Sequence, residues 1–206
     1  MKTINLGKIE LTIYDGPIGI RASGGADSSI LLYYLALHHV GPIFVYNLAE
    51  EINEYLEEGH ITRVVDKIRE LTSNKNIIIK HFRVPMKTID TLLDITVTNS
   101  INDNVTMLYS GITKRPPLEI ENLFKQDLNE GDITNFRDPD LEVPTLYDKT
   151  YMPFANLNKK DISNLYTNAG VIDTLFPVTY SCVSDLRTHC KECWWCEERI
   201  WAFGKV

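Results

Sequence analysis

The sequence predicts an α/β domain, a parallel sheet with helices on both faces, followed by a C-terminal segment that binds a metal. Three observations carry that expectation. Strand-like and helix-like segments alternate along the first half of the chain. A Gly-Gly turn sits between one candidate strand and one candidate helix. All four cysteines of the 206-residue chain fall between Cys182 and Cys196.

Residues 8 to 14 alternate apolar and polar, as a half-buried edge strand does. Pro17 to Ala22 reads as the first parallel strand, and Ser29 to His39 as a buried helix closed by Gly41-Pro42. Ile43 to Tyr46 gives a second strand. Residues 53 to 71 place Ile61, Val64, Val65, Ile68 and Leu71 at helical spacing. Ile77-Ile78-Ile79 opens a third strand, residues 88 to 98 form a helix, and Val105 to Tyr109 form a fourth strand ending at Ser110-Gly111. From about 112 to 150 the pattern dissolves into Pro, Asp, Asn and charge, the signature of a long loop. Asn158 starts a further helix, with Asp161 in its first turn. The whole chain reads as one domain.

Composition narrows the function. Apolar residues make up 44% and charged residues 24%, values of a globular protein with a real core. No stretch approaches the ~20 apolar residues that span a bilayer, and no apolar leader opens the chain, so a cytoplasmic location is expected. A net charge of −7 disfavours non-specific nucleic-acid binding, because phosphate backbones are held by neutralising cations.

The turn Ala22-Ser23-Gly24-Gly25-Ala26-Asp27-Ser28-Ser29 is the first chemical motif. Glycines let the backbone turn sharply and approach a ligand closely. A helix N-terminus behind them offers unpaired amides and partial positive charge to a phosphate. Ser23, Ser28 and Ser29 can add hydroxyls. Asp27 would be repelled by bare phosphate, so its expected task is to hold Mg²⁺. The bland alternative is a tight glycine turn with no ligand. The string is neither a Walker loop nor a dinucleotide fingerprint.

The second motif is Cys182-x7-Cys190-x2-Cys193-x2-Cys196. Four thiolates in so short a segment suit a tetrahedral Zn²⁺ with no open position, a structural site. An iron–sulfur cluster would take the same donors, and a redox pair is a further alternative. His189 could substitute as a ligand.

Ser23-Gly24-Gly25-Ala26-Asp27-Ser28 resembles the PP-loop of the N-type ATP pyrophosphatases, which have an adenine-nucleotide alpha-hydrolase-like fold. That family cleaves ATP between its α- and β-phosphates to make an adenylated intermediate. Thr179-Tyr180-Ser181-Cys182, the run His189 to Cys196, and Arg199 to Phe203 look like the C-terminus of the 7-cyano-7-deazaguanine synthases in that group, whose cysteines bind zinc. Lys191 stands where those enzymes have glycine. Pro153 to Ile162 is similar to their Pro-Leu and Lys-x-x-Ile segment, with Lys159 on the lysine. The resemblance implies ATP, Mg²⁺ and Zn²⁺ as cofactors, with a deazapurine carboxylate and ammonia as partners, on the route to preQ0 and queuosine; a homodimer is left open. It places Asp27, Ser28 and Lys159 in catalysis. Residues Ala22 to Ser29, Tyr46 and Gly111 would line the nucleotide, and Cys182, Cys190, Cys193 and Cys196 would hold the metal. Two other readings stand beside it: adenylation of a different acceptor, such as a tRNA base, and a non-catalytic nucleotide-binding module.

Overall fold

The computed structural model describes residues 1–86, 88–124, 145–147, 149–184 and 187–206. The chain opens with a separate antiparallel pair, β1 (Lys2–Asn5) and β2 (Glu10–Ile13). The main sheet then builds from β3 (Ile18–Arg21), α1 (Ala26–His38), β4 (Ile43–Glu50), α2 (Glu54–Thr72), β5 (Ile77–Val84), α3 (Ile89–Asn102) and β6 (Met107–Ser110). A one-turn helix α4 (Leu118–Glu121), strands β7 (Thr145–Tyr147) and β8 (Thr150–Met152), α5 (Lys159–Asn168), a 3₁₀ turn (Phe176–Val178) and α6 (Trp194–Phe203) complete it. Strand order is β5-β4-β3-β6-β8-β7. Five neighbouring strands run parallel, and β7 is antiparallel to β8.

The two-residue period of the strands divides the apolar residues between two faces. Ile18, Ile20, Ile43, Val45, Ile77, Met107 and Tyr109 join one core with residues of α1, α2 and α5. Phe44, Tyr46, Phe82 and Leu108 point the other way. There α3 meets the sheet through Arg21, whose Nε donates to Thr96 Oγ1 at 2.7 Å. Helices therefore cover both faces, as the alternating pattern predicts. Helix α1 is apolar on nearly every side because it packs against both α2 and α5. Tyr34 and Tyr166 lock it to α5 by donating to Leu165 O at 3.2 Å and Ala26 O at 2.8 Å.

Residues 8 to 14 contain the half-buried edge strand that their alternation predicts, β2 of the separate hairpin, where Leu11 and Ile13 reach the main core. One expectation needs correction. The stretch from 112 to 150 is not loop throughout, since β7 and part of β8 lie in it; three-residue strands are too short to show a period. Its residues 125–144 lie outside the described ones. The C-terminal segment is packed onto the domain. Helix α6 packs on α5, and Phe203 stacks on Phe176 with centroids 4.0 Å apart. Among the described residues no helix is long and apolar enough to cross a membrane.

Candidate functional site

From β3 the chain winds outward through β4 to β5, then returns to place β6 on the other side of β3. The exits of β3 and β6 thus flank a topological switch point, where open parallel sheets bind ligands. The exit of β3 is the glycine turn and the exit of β6 is Gly111.

The turn is held from behind. Ala22 N donates to Tyr46 O at 3.1 Å, and the buried Asn47 donates from Nδ2 to Ala22 O at 3.1 Å. His81 Nδ1 in turn meets Asn47 Oδ1 at 3.1 Å. Gly24 has φ +87°, and a Cβ there would come within 3.2 Å of the His60 and Ile61 backbone. A side chain is excluded on both counts. Gly24 O accepts from Tyr180 N at 2.8 Å. Gly25 is the N-cap of α1 and supplies no side-chain hydrogen bond to its amides. Ser23 faces solvent, whereas Gly25, Asp27 and Ser28 are half-buried. The hydroxyls of Ser28 and Ser29 turn back to Gly25 O, at 3.3 and 2.7 Å. Gly111 crosses directly over the first turn, where a Cβ would lie 2.8 Å from Ser28 N and 2.9 Å from Ser28 Cα. The head of α1 is therefore left to its backbone amides, in a setting only glycine permits.

Behind that head lies a buried charge cluster. Lys159, the first residue of α5, places Nζ 2.5 Å from Asp27 Oδ2 and 3.4 Å from Glu198 Oε2. The Lys159 side chain is 5% exposed and that of Glu198 0%. Asp27 Oδ1 is buried and has no hydrogen-bond partner among the described residues. Buried carboxylate oxygens are rarely left so, and an oxygen in this state suits a hard cation such as Mg²⁺. Arg199 adds a second cation. Its Nη1 donates to Thr179 Oγ1 at 3.0 Å and Ser181 Oγ at 3.2 Å, and its guanidinium lies 4.3 Å from the Phe176 ring centroid. Burial lowers its pKa, an effect opposed by the Asp27 carboxylate.

The four cysteine sulfurs all lie within 4.8 Å of one another. Cys182 and Cys193 are 3.9 Å apart and Cys190 and Cys196 are 4.0 Å apart, close to the edge of a zinc–thiolate tetrahedron. The cluster could hold a metal such as zinc. Cys193 caps α6 and Cys196 sits in its first turn. Burial raises the Cys190 thiol, but the amides of Glu192 and Cys193 and the neighbouring thiols outweigh it and bring it down to about 6. Burial pushes the thiols of Cys193 and Cys196 up. Lys191, between two of these ligands, has φ +66°, the left-handed region that favours glycine. Trp195 packs against the cluster as its aromatic cover.

The two motifs lie side by side. His60 of α2, Tyr180 and His189 stack in sequence, with centroids 4.0 and 4.6 Å apart. Burial, reinforced by the Arg199 charge, lowers His189 to about 4, so a neutral imidazole places Nδ1 3.7 Å from Cys196 Sγ. His189 thus stands beside the cluster rather than within it.

The geometry gathers Ala22, Ser23, Gly24, Gly25, Ala26, Asp27, Ser28, Ser29, Gly111 and Lys159 around one helix head. It does not bring the Tyr46 side chain there. That ring packs on the opposite face of the sheet, against Gly19, and its hydroxyl donates to Asp103 Oδ2 at 2.9 Å. Only the Tyr46 carbonyl touches the loop. Arg21 also turns away, to Thr96 and to Thr150, and burial lowers it to about 10. Arg115 lies 3.8 Å from Glu121. Sequence reasoning missed Glu198, Asn47 and His60. The period of α6 held the one available signal, an acidic residue amid Trp, Cys and Ala on a buried stripe. No protein-family model matches the chain, and no curated protein matches it.

Proposed function

We infer that the protein binds Mg²⁺·ATP at the head of α1 and transfers its adenylyl group to a carboxylate, as 7-cyano-7-deazaguanine synthases do. The observation that carries this reading is the contact of Lys159 with Asp27 behind an uncapped, glycine-built helix start. Residues distant in sequence, each singled out by the family resemblance, meet where a polyphosphate would need them.

In this reading the amides from Gly25 to Ser28 cradle the β- and γ-phosphates, and the helix dipole favours their charge. Asp27 Oδ1 would hold Mg²⁺, which would supply charge neutralisation along the phosphates. Gly111, having no side chain, lets the exit of β6 lie directly against the first turn of α1. The acceptor carboxylate oxygen attacks the α-phosphorus, the bond to the bridging oxygen breaks, and pyrophosphate leaves. Ammonia then displaces AMP from the acyl carbon, giving the amide. By the same resemblance a second ATP activates the amide oxygen, and its departure with AMP leaves the nitrile. The chain's own contribution is positioning and charge stabilisation. A metal in the cysteine cluster would serve the fold, anchoring α6 so that Glu198 and Arg199 reach the loop.

Zinc-loaded protein given Mg²⁺·ATP, 7-carboxy-7-deazaguanine and ammonia should release AMP and pyrophosphate, and Asp27→Ala should cut the rate by roughly 10²–10³-fold with zinc content unchanged. AMP formation with another acceptor, and none with this one, would keep adenylation and replace the substrate. Zinc lost from Asp27→Ala would show that the fold, not the chemistry, had been damaged.

A further inference from the structure

Lys159 lies between two carboxylates, and only one of them faces the phosphate loop. From this we propose that Glu198 is a positioning residue: it takes over Lys159 when Asp27 receives a divalent cation. The proposal rests on the phosphate-loop reading and deepens it.

In the structure Asp27 commits Oδ2 to Lys159 at 2.5 Å and leaves Oδ1 buried without a hydrogen-bond partner among the described residues. A cation on Oδ1 would place two positive charges across a single carboxylate, a few ångströms apart in a poorly screened setting. The ammonium must then loosen its hold on Asp27. It cannot retreat to water, because the Lys159 side chain is 5% exposed. A buried ammonium without an anion is costly enough to forbid the exchange. Glu198 removes that obstacle. Its carboxylate is fully buried, lies 3.4 Å from Nζ, and comes from a helix whose cap and first turn hold two of the four cysteines. Arg199 faces the same cluster from α6, so among the described residues Asp27 and Glu198 stand against Lys159 and Arg199. The cysteine segment would thereby influence cation binding at the loop without touching the cation.

The test is a double-mutant cycle on Mn²⁺ affinity, read from the electron paramagnetic resonance of free Mn²⁺ with α,β-methylene-ATP present. Glu198→Gln preserves volume, and zinc content and circular dichroism report the fold of each sample. Glu198→Gln should weaken Mn²⁺ binding by about tenfold, one charge-assisted partnership. Adding Lys159→Met to it should restore affinity to within about threefold of wild type, because Asp27 is then released; the same lysine change alone should help far less. That non-additivity separates partner exchange from simple loss of a nearby negative charge, which would make the two effects add. Equal Mn²⁺ affinity in wild type and Glu198→Gln, or strict additivity, would overturn the proposal and leave the phosphate-loop reading standing. Failure of the wild type to bind Mn²⁺ with the nucleotide would overturn both.

Discussion

The heads of α1 and α6 have nearly the same backbone and opposite solutions to the same problem. Gly25 caps α1 at φ −71°, ψ 163°, and Cys193 caps α6 at φ −72°, ψ 153°. Neither gives its helix a side-chain cap, although both α3 and α5 carry full capping boxes from Thr88 and Asn158. Every helix start has amides to satisfy. At α6 the chain brings its own anions. Cys190 Sγ accepts from Cys193 N at 3.2 Å and Glu192 N at 3.5 Å, in the turn that leads into the helix. At α1 the residues are glycine, alanine, aspartate and serines whose hydroxyls point back to Gly25 O, and no side chain caps the amides. One helix start is completed from within by thiols that could hold a metal; the other has no side chain to cap it.

The difference predicts unequal dependence on what binds. Helix α1 is buried between α2 and α5 and should stand without nucleotide. The head of α6 should not stand without metal, because three further thiols would be left crowding Cys196. Chelation should cost on the order of 5 kcal/mol, lowering Tm by roughly 10 °C or more, while nucleotide removal leaves Tm nearly unchanged apart from mass action. The sign with pH follows from the thiols. Cys193 and Cys196 are pushed up, so both are protonated at neutral pH in the metal-free protein, and metal uptake must release their protons. Calorimetry in buffers of different ionisation enthalpy should detect that release, and metal affinity should fall as pH is lowered. Metal uptake without proton release would contradict the four-thiolate site.

Gly111→Ala sharpens the comparison at the other head. Its Cβ would press on Ser28 N and Cα, backbone atoms that cannot swing aside. A loss of about 1–3 kcal/mol is expected, with weaker nucleotide binding and normal zinc content. A neutral effect would show that β6 exits farther from α1 than described. Lys191→Gly should act with the opposite sign and the smallest size. Relief of the left-handed backbone at φ +66° should stabilise the metal knuckle by about 1 kcal/mol, raising Tm by a few degrees. Destabilisation would mean that the lysine side chain makes a contact worth more than the strain.

How much was legible in the sequence follows the same division. Local signals were readable: Asn158 accepts from Lys160 N and Asp161 N, as its place before an acidic first turn implies. The glycine turn and the cysteine spacing name their chemistry because each is one continuous string. Glu198 and Asn47 were not readable, since their meaning depends on partners supplied by other elements. Tyr46 misled for the related reason that a strand residue's face is set by register; its ring went to the α3 side with Phe44 and Phe82. Strand β8 was too short to show any pattern, yet it extends the parallel sheet beyond β6.

The account depends most on the amides at the head of α1. Backbone amide NMR on ¹⁵N-labelled, zinc-loaded protein, titrated with magnesium pyrophosphate, tests that dependence directly. Saturable shifts should concentrate on Gly25, Ala26, Asp27 and Ser28, with Gly111 following and the amides of the cysteine knuckle almost still. Saturation that leaves those four resonances in place, or moves chiefly the knuckle, would contradict it.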